Sequence, residues 1–346
     1  MLCLSSFGDR HCRYKLSSQS LKSLGSMSLP FFSVVVPTYN RPAQLATCLQ
    51  ALTQLDYPGD RFEIIVVDDG SATPLDATVA PFQLDAESAA KSAARPDAKS
   101  ADNLTASIIL LRQANAGPAA ARNAGAQRAK GNYIAFTDDD CMPNPDWLQQ
   151  FATALQAAPT AMVGGRTINA LPQNLFSSAS QALIDYLYHY YDAASQGVFF
   201  ASNNIAMSRS QYLEIGGFDI SFPLAAAEDR NLCDCWQQAG YPMNYIPLAT
   251  IRHAHELSLN SFWRQHFGYG RGAFCFHQVR AQRTDQPIKV EPLKFYTDLL
   301  TYPITRQNVR SPLMVSSLFF LSQVATTTGF FWERLTAASH SPRQAR

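Results

Sequence analysis

The chain has 346 residues, 47% hydrophobic and 16% charged, so it can bury one large core or two smaller ones and reads as globular. A formal net charge of +1 argues against nucleic acid as a bulk partner, which would favour a basic surface. Seven cysteines are scattered, and the close pair Cys233-x-Cys235 falls in an expected helix, where positions two apart do not share a face. They read as reduced and structural, which fits a cytoplasmic protein.

Residues 1–29 hold no apolar stretch long enough for a signal peptide and are expected to be disordered, with Met27 a candidate start of translation. Ser33-Val34-Val35-Val36 forms a first strand, stopped by Pro37. Asn40 is placed to cap the following helix, with Pro42 in its first turn and Leu45, Cys48, Leu49 and Leu52 on its inward face. Phe62 to Val67 and Ser107 to Leu111 are further strands. The first is apolar on both faces, as in a parallel sheet covered by helices. Residues 84–105 between them are rich in Ala, Ser, Asp and Lys and read as a mobile surface insertion. Pro118 to Lys130 is an Ala-rich helix closed by Gly131, and Tyr133 to Thr137 is a buried strand. This alternation is the doubly wound α/β pattern, and it breaks down after about Thr167. Near the end, 312–332 carries no charge. A packing helix, a membrane-associated helix and a full span all remain open for it.

Ligands of open parallel sheets bind beyond the carboxyl ends of the strands, and three polar clusters fall there: Pro37-Thr38-Tyr39-Asn40-Arg41, Asp68-Asp69-Gly70-Ser71 and Asp138-Asp139-Asp140. Adjacent carboxylates repel unless a cation offsets them. A hard divalent ion fits, with positions left for the phosphates of a nucleotide diphosphate. Asp68 could accept hydrogen bonds from a ribose or a base, or serve a turn. Asn115 to Gly125 opens a helix with small residues whose N-terminus favours anions, and Arg122 either reaches a phosphate or an acid or stays solvated on a helix packed against the sheet. Asp229, on the inward stripe of a helix beginning Glu228-Asp229, is either a general base or a cap. His253 and His255 share a strand face as metal or phosphate ligands or as structural residues, with His255 the stronger candidate. Tyr186, Tyr188, Tyr190, Tyr191, Trp263, Phe267 and Tyr269 are core or sugar-stacking aromatics.

The ordered set Val34 to Arg41, Val66 to Ser71, Gly117 to Gly125, Phe136 to Asp140, Gly216-Gly217-Phe218-Asp219 and Glu228-Asp229 resembles the inverting glycosyltransferases of family 2. The resemblance implies a GT-A fold: a Rossmann-like, mostly parallel twisted sheet flanked by helices over 30–256, followed by a helical region, 257–346, that is a candidate for peripheral membrane contact. It also implies a nucleotide-sugar donor, UDP-sugar first, and a divalent metal, Mg²⁺ or Mn²⁺. Pro37, Thr38, Tyr39, Asn40, Arg41, Asp68, Asn115, Gly117, Arg122, Asp138, Asp139, Asn203 and Asn204 then fall to the donor. Asp140, Asp138 and His255 fall to the metal, Asp229 becomes the base, and Glu228 supports it or meets the acceptor. Processive members carry Gln-x-x-Arg-Trp downstream of the base. Here Trp236-Gln237-Gln238-Ala239-Gly240 follows, which favours a single addition to a glycan, lipid-linked or polysaccharide-precursor acceptor of the cell envelope. A nucleotidyltransferase and an inactive nucleotide-sugar-binding subunit are the alternatives. The first should carry a Gly-rich, basic loop after strand one, which Pro37 to Arg41 is not.

Overall fold

The computed structural model describes residues 29–83, 106–193, 199–222, 226–284, 291–305 and 310–340. The expected disordered N-terminus, except Leu29, and the expected mobile insertion lie outside them. Strands β1 (Phe32–Thr38), β2 (Phe62–Asp68), β3 (Ser107–Arg112) and β4 (Tyr133–Phe136) form the parallel part of an eight-stranded sheet ordered β3-β2-β1-β4-β7-β6-β8-β5. Their register aligns Thr38 with Asp68 and Asp68 with Arg112, so the polar residues that follow each apolar run meet at one edge. Both faces are covered, which is why these strands are apolar throughout. Helices α1 (Pro42–Thr53) and α3 (Trp147–Ala157) pack on one side through Leu45, Leu49, Trp147 and Phe151. Helices α2 (Pro118–Arg128) and α6 (Glu228–Gln238) pack on the other through Ala121, Leu232 and Trp236.

The second half mixes directions. β7 (Ile205–Ser208) runs antiparallel between β4 and β6 (Met162–Asn169), and β8 (Met243–His253) returns parallel to β6. The short β5 (Cys141–Pro143), which starts directly after the acidic triplet, pairs antiparallel with the end of β8 through Cys141↔His253. Two segments more than a hundred residues apart thereby share one corner of the sheet. Helices α4 (Leu175–Ala193), α7 (Leu259–Arg283), α8 (Leu293–Thr305) and α9 (Pro312–His340) build a third apolar cluster around Tyr186, Phe262, Leu299 and Phe319. The short helix α5 (Arg209–Glu214) follows β7. α7 and α9 approach to backbone contact: a Cβ on Gly270 would lie 1.9 Å from the Thr326 carbonyl oxygen.

Three local expectations are corrected. Pro37 does not stop β1, which continues to Thr38. The Val35 carbonyl accepts from Thr137 on the β4 side, Pro37 faces that same side, and β4 has ended by then. Its missing N–H therefore costs no ladder bond. Asn40 does not cap α1, whose N-cap is Arg41 without a side-chain bond. Asn40 sits at φ +57° and ties the first loop to the second, donating its N–H to Ser71 and accepting from Ala72. Gly131 is no left-handed cap, because the helix ends at Arg128 with Ala129 as C-cap. It is glycine for closeness: a Cβ there would lie 2.6 Å from the Ser33 nitrogen and 2.8 Å from the Phe32 carbonyl carbon. Backbone on two central strands cannot yield, so Gly131→Ala should lower the unfolding free energy by about 1–3 kcal/mol in chemical denaturation.

Candidate active site

Each carboxylate of the acidic triplet has its own set of partners, with Arg41 shared between Asp139 and Asp140. Asp138 accepts from Arg122 Nη2 at 2.7 Å. Asp139 accepts from Thr38 Oγ1 at 2.8 Å and from Arg41 Nη1 at 3.1 Å. Asp140 faces Arg41 Nη1 at 3.1 Å, His253 Nε2 at 3.1 Å and His255 Nδ1 at 3.7 Å. Burial pushes the Asp139 carboxyl up to about 6 against the pull of Arg41 and Thr38. Burial acts on Asp140 as well, but hydrogen bonds from both histidines and the nearby cations hold it well below the usual carboxylate range. One ligand atom from each of Asp140, His253 and His255 lies within 4.8 Å of the others, so these three side chains can converge on one metal ion. One carboxylate oxygen and two imidazole nitrogens form a mixed donor set for a divalent ion, unlike the all-oxygen sets that Mg²⁺ prefers.

The loop after β2 is organised by its own carboxylates. Asp68 accepts from the Ser71 N–H at 2.8 Å and pairs with Arg112 at 3.6 Å. Asp69 gathers the approach to α2. Its oxygens accept from Gln113, Asn115 and the N–H groups of Ala116 and Gly117. Gly117 then turns at φ +88° into the helix.

On the far wall Arg122 is buried between the two halves of the chain. Its second nitrogen, Nη1, lies 3.6 Å from Glu228 Oε1, and its guanidinium stands over the Phe218 ring at 5.4 Å. Asn123 holds that ring by donating to the Phe218 carbonyl and accepting from its N–H, while Gly216 and Gly217 take positive φ just before it. Ala227 enters α6 at φ +72°, a strained conformation for a residue with a side chain. Asp229 accepts from the Arg230 N–H at 2.7 Å and from the backbone of Ser202. Burial raises the pKa of both Glu228 and Asp229. The Asp229 charge pushes Glu228 further and Arg122 opposes the rise in both. Among the described residues Glu228 Oε2 and Asn203 Oδ1 are buried without a hydrogen-bond partner, so this wall has acceptor capacity open to a ligand.

The structure joins most of the expected residues. Contacts run from Asp68 beside Thr38, through Asp139 and Asp140, to Asp138, Arg122 and Glu228 without a break. Pro37 is buried in β1, and Tyr39 is exposed at the edge. Four placements differ from the expectation. Asp138 is bound to Arg122 and stands outside the Asp140–His253–His255 group, whereas His253, ranked below His255, stands inside it. Asn115 lends its amide to Asp69. Asn204 points into the core, where it accepts from Trp147 and donates to the carbonyls of Arg166 and Ala249, leaving no donor for a sugar. One neighbour was missed. Arg112 ends β3 in register with Asp68, a signal available by aligning the ends of parallel strands. Tyr269, named among the core or sugar-stacking aromatics, sits on α7 close enough to Asp229, Glu228 and Asp138 for their charge to push its hydroxyl up, after burial.

Arg122→Met removes the shared counter-charge. It should destabilise the fold by about 3 kcal/mol near neutral pH. Stripped of the cation, Glu228 ionises still less readily, so the loss should shrink as pH falls and the carboxyl takes up a proton. Urea unfolding at two pH values checks both the size and the sign.

Comparison with known proteins agrees. The model of the family described as Glycosyl transferase family 2 matches residues 33–216. The chain is 33% identical over 138 residues to glycosyltransferase AglE of Haloferax volcanii, covering 40% of each protein. It is 28% identical over 251 residues to the pre-mycofactocin glycosyltransferase of Mycobacterium tuberculosis, covering 70% of this chain and 46% of that one. The matches thus span less than half of these relatives. Among solved structures, the mannosyltransferase PcManGT from Pyrobaculum calidifontis, in complex with GDP-Man and Mn²⁺, is similar with a TM-score of 0.53 at 19% identity, over 91% of this chain and 82% of that one. That likeness concerns the fold, a mixed sheet of GT-A type flanked by helices and followed by C-terminal helices. With more than half of its length matched by the family model, the chain belongs to glycosyl transferase family 2.

Proposed function

We propose that this protein transfers a sugar from a nucleoside-diphosphate sugar to a hydroxyl of a glycan, lipid-linked or polysaccharide-precursor acceptor, with inversion at the anomeric carbon. The observation that carries this reading is the unbroken line of contacts from Asp68 through the acidic triplet to Glu228 at one sheet edge. Asp68 and Arg112 lie at the end expected to meet the nucleoside, with a UDP-sugar the first donor to test. Asp140, His253 and His255 would hold a divalent cation, which when bound offsets the charge growing on the departing diphosphate. Arg41 and Arg122 border the same region and add fixed positive charge.

Asp229 takes the proton from the acceptor hydroxyl. The acceptor oxygen bonds to the anomeric carbon on the face opposite the nucleotide, while the bond from that carbon to the diphosphate oxygen breaks. The raised pKa of Asp229 strengthens it as a base relative to an exposed aspartate. Glu228 shares the wall and has an oxygen free for the acceptor. Unpaired cysteines, among them Cys48, Cys141 and Cys233, support action in a reducing compartment such as the cytoplasm.

Asp229→Asn should lower turnover by about 10²–10⁴ while titration calorimetry finds donor binding unchanged; full activity would remove Asp229 from the role. With wild-type enzyme, turnover should rise with pH, along a limb centred above the ordinary aspartate value of about 3.9, as Asp229 loses its proton. His253→Ala should weaken Mn²⁺ binding in the presence of UDP by about tenfold or more, read by calorimetry. Product analysis separates the reaction classes. Release of nucleoside diphosphate supports sugar transfer, and release of pyrophosphate makes the protein a nucleotidyltransferase.

A further inference from the structure

Helix α9 has two apolar faces. Val315, Leu318, Phe319, Ser322 and Ala325 are buried, and Val315, Leu318 and Phe319 belong to the third cluster. On the opposite side Leu313 (73% exposed), Phe320 (61%), Val324 (39%), Phe331 (50%) and Leu335 (71%) form a stripe. Their steps of seven, four, seven and four residues keep them on one line of the helix. Met314 and Trp332 flank the stripe and are more than half exposed. Only Ser317, Thr327 and Thr328 dilute it, and none of them is charged. A run of large apolar side chains this long is seldom left to water.

Charge selects what covers it. Residues 257–346 carry eleven Lys and Arg against four Asp and Glu, a formal +7 in a chain whose total is +1, so the first 256 residues stand at −6. Exposed arginines mark both ends of the stripe, Arg310 just before α9 and Arg334 next in sequence to Leu335. A second copy docking here would bring two such basic regions together. A negatively charged lipid surface would attract them. A full span is disfavoured by the inner face, because α9 meets α7 in backbone contact at Gly270 and Gly329 and Glu333 is bonded to Arg271.

We propose that α9 lies along an anionic membrane surface, with the Leu313–Leu335 stripe seated at the boundary between headgroups and acyl chains and the arginines among the phosphates. Trp332 at that boundary is where an amphipathic ring is favoured. This inference does not depend on the transferase reading, since lipid binding needs neither donor nor metal.

The test is co-sedimentation of the full chain with vesicles of phosphatidylcholine alone and of phosphatidylcholine mixed with phosphatidylglycerol. Binding should favour the anionic vesicles by about tenfold or more and fall in high salt. Phe320→Ser/Phe331→Ser should lose about tenfold or more of that binding with its melting temperature little changed, both side chains being at least half exposed. Arg310→Gln/Arg334→Gln should lose the preference for anionic vesicles. Equal binding to both vesicle types, no binding, or wild-type behaviour of the Phe double variant would overturn the proposal. So would a dimer, measured by light scattering in buffer, that Phe320→Ser/Phe331→Ser dissolves, since the stripe would then belong to a second copy.

Discussion

One guanidinium holds the two halves of this site together. Arg122 comes from the α/β half, yet it lies between Asp138 of that half and Glu228 of the helix that follows the mixed strands. Without a shared cation these acids, with Asp139, Asp140 and Asp229 nearby, would repel one another in a poorly hydrated space. Burying an arginine there requires the helix to sit close to the sheet. Gly125 provides the closeness, since a Cβ on it would come within 2.4 Å of a Val35 methyl. The aromatic floor under the guanidinium is Phe218, fixed by Asn123 one residue after Arg122. The small-residue helix and the Gly216-Gly217-Phe218 turn, far apart in sequence, are thus two supports for one charge.

The second join is made by backbone. β5 begins as soon as the triplet ends, and its pairing with β8 sets Cys141 opposite His253, while Ala254 donates its N–H to the Asp140 carbonyl. The histidines are therefore aimed by strand register. Register is a discrete variable: a slip of one residue would turn both rings to the other face. The metal-type group gains its geometry from the sheet, whereas Glu228 and Asp229 gain their position from a strained helix start at Ala227.

Sequence reasoning reached the parts of this architecture that local pattern encodes. The apolar runs before Thr38, Asp68 and Asp138 placed those residues at strand ends, and the stripe Leu45, Cys48, Leu49 and Leu52 gave α1 its buried face. It failed where a side chain's partner comes from elsewhere. Nothing near Asn204 announces Trp147, and reading Arg122 as a partner for a phosphate or an acid does not single out Asp138 as that acid. Gly131 sat at the right spacing for a helix cap, but its purpose lies in Phe32 and Ser33 on a neighbouring strand. Alternation put His253 and His255 on one face with His255 favoured, and only the β5–β8 pairing brings His253 onto Asp140.

The helix carrying Glu228 and Asp229 is bolted to α7 at several points. A Cβ on Gly272 would meet the Ala226 carbonyl oxygen at 2.4 Å, Arg283 grips Asn231 and Asp234, and Arg230 lies over the Phe276 ring. α7 in turn meets α9 backbone to backbone. No loop intervenes along this path from the carboxylates to the outermost helix. Glu228 and Asp229 are therefore joined to the exposed stripe of α9 through packed helices, so a surface that α9 rests on would meet these carboxylates in one attitude rather than through a swinging tether.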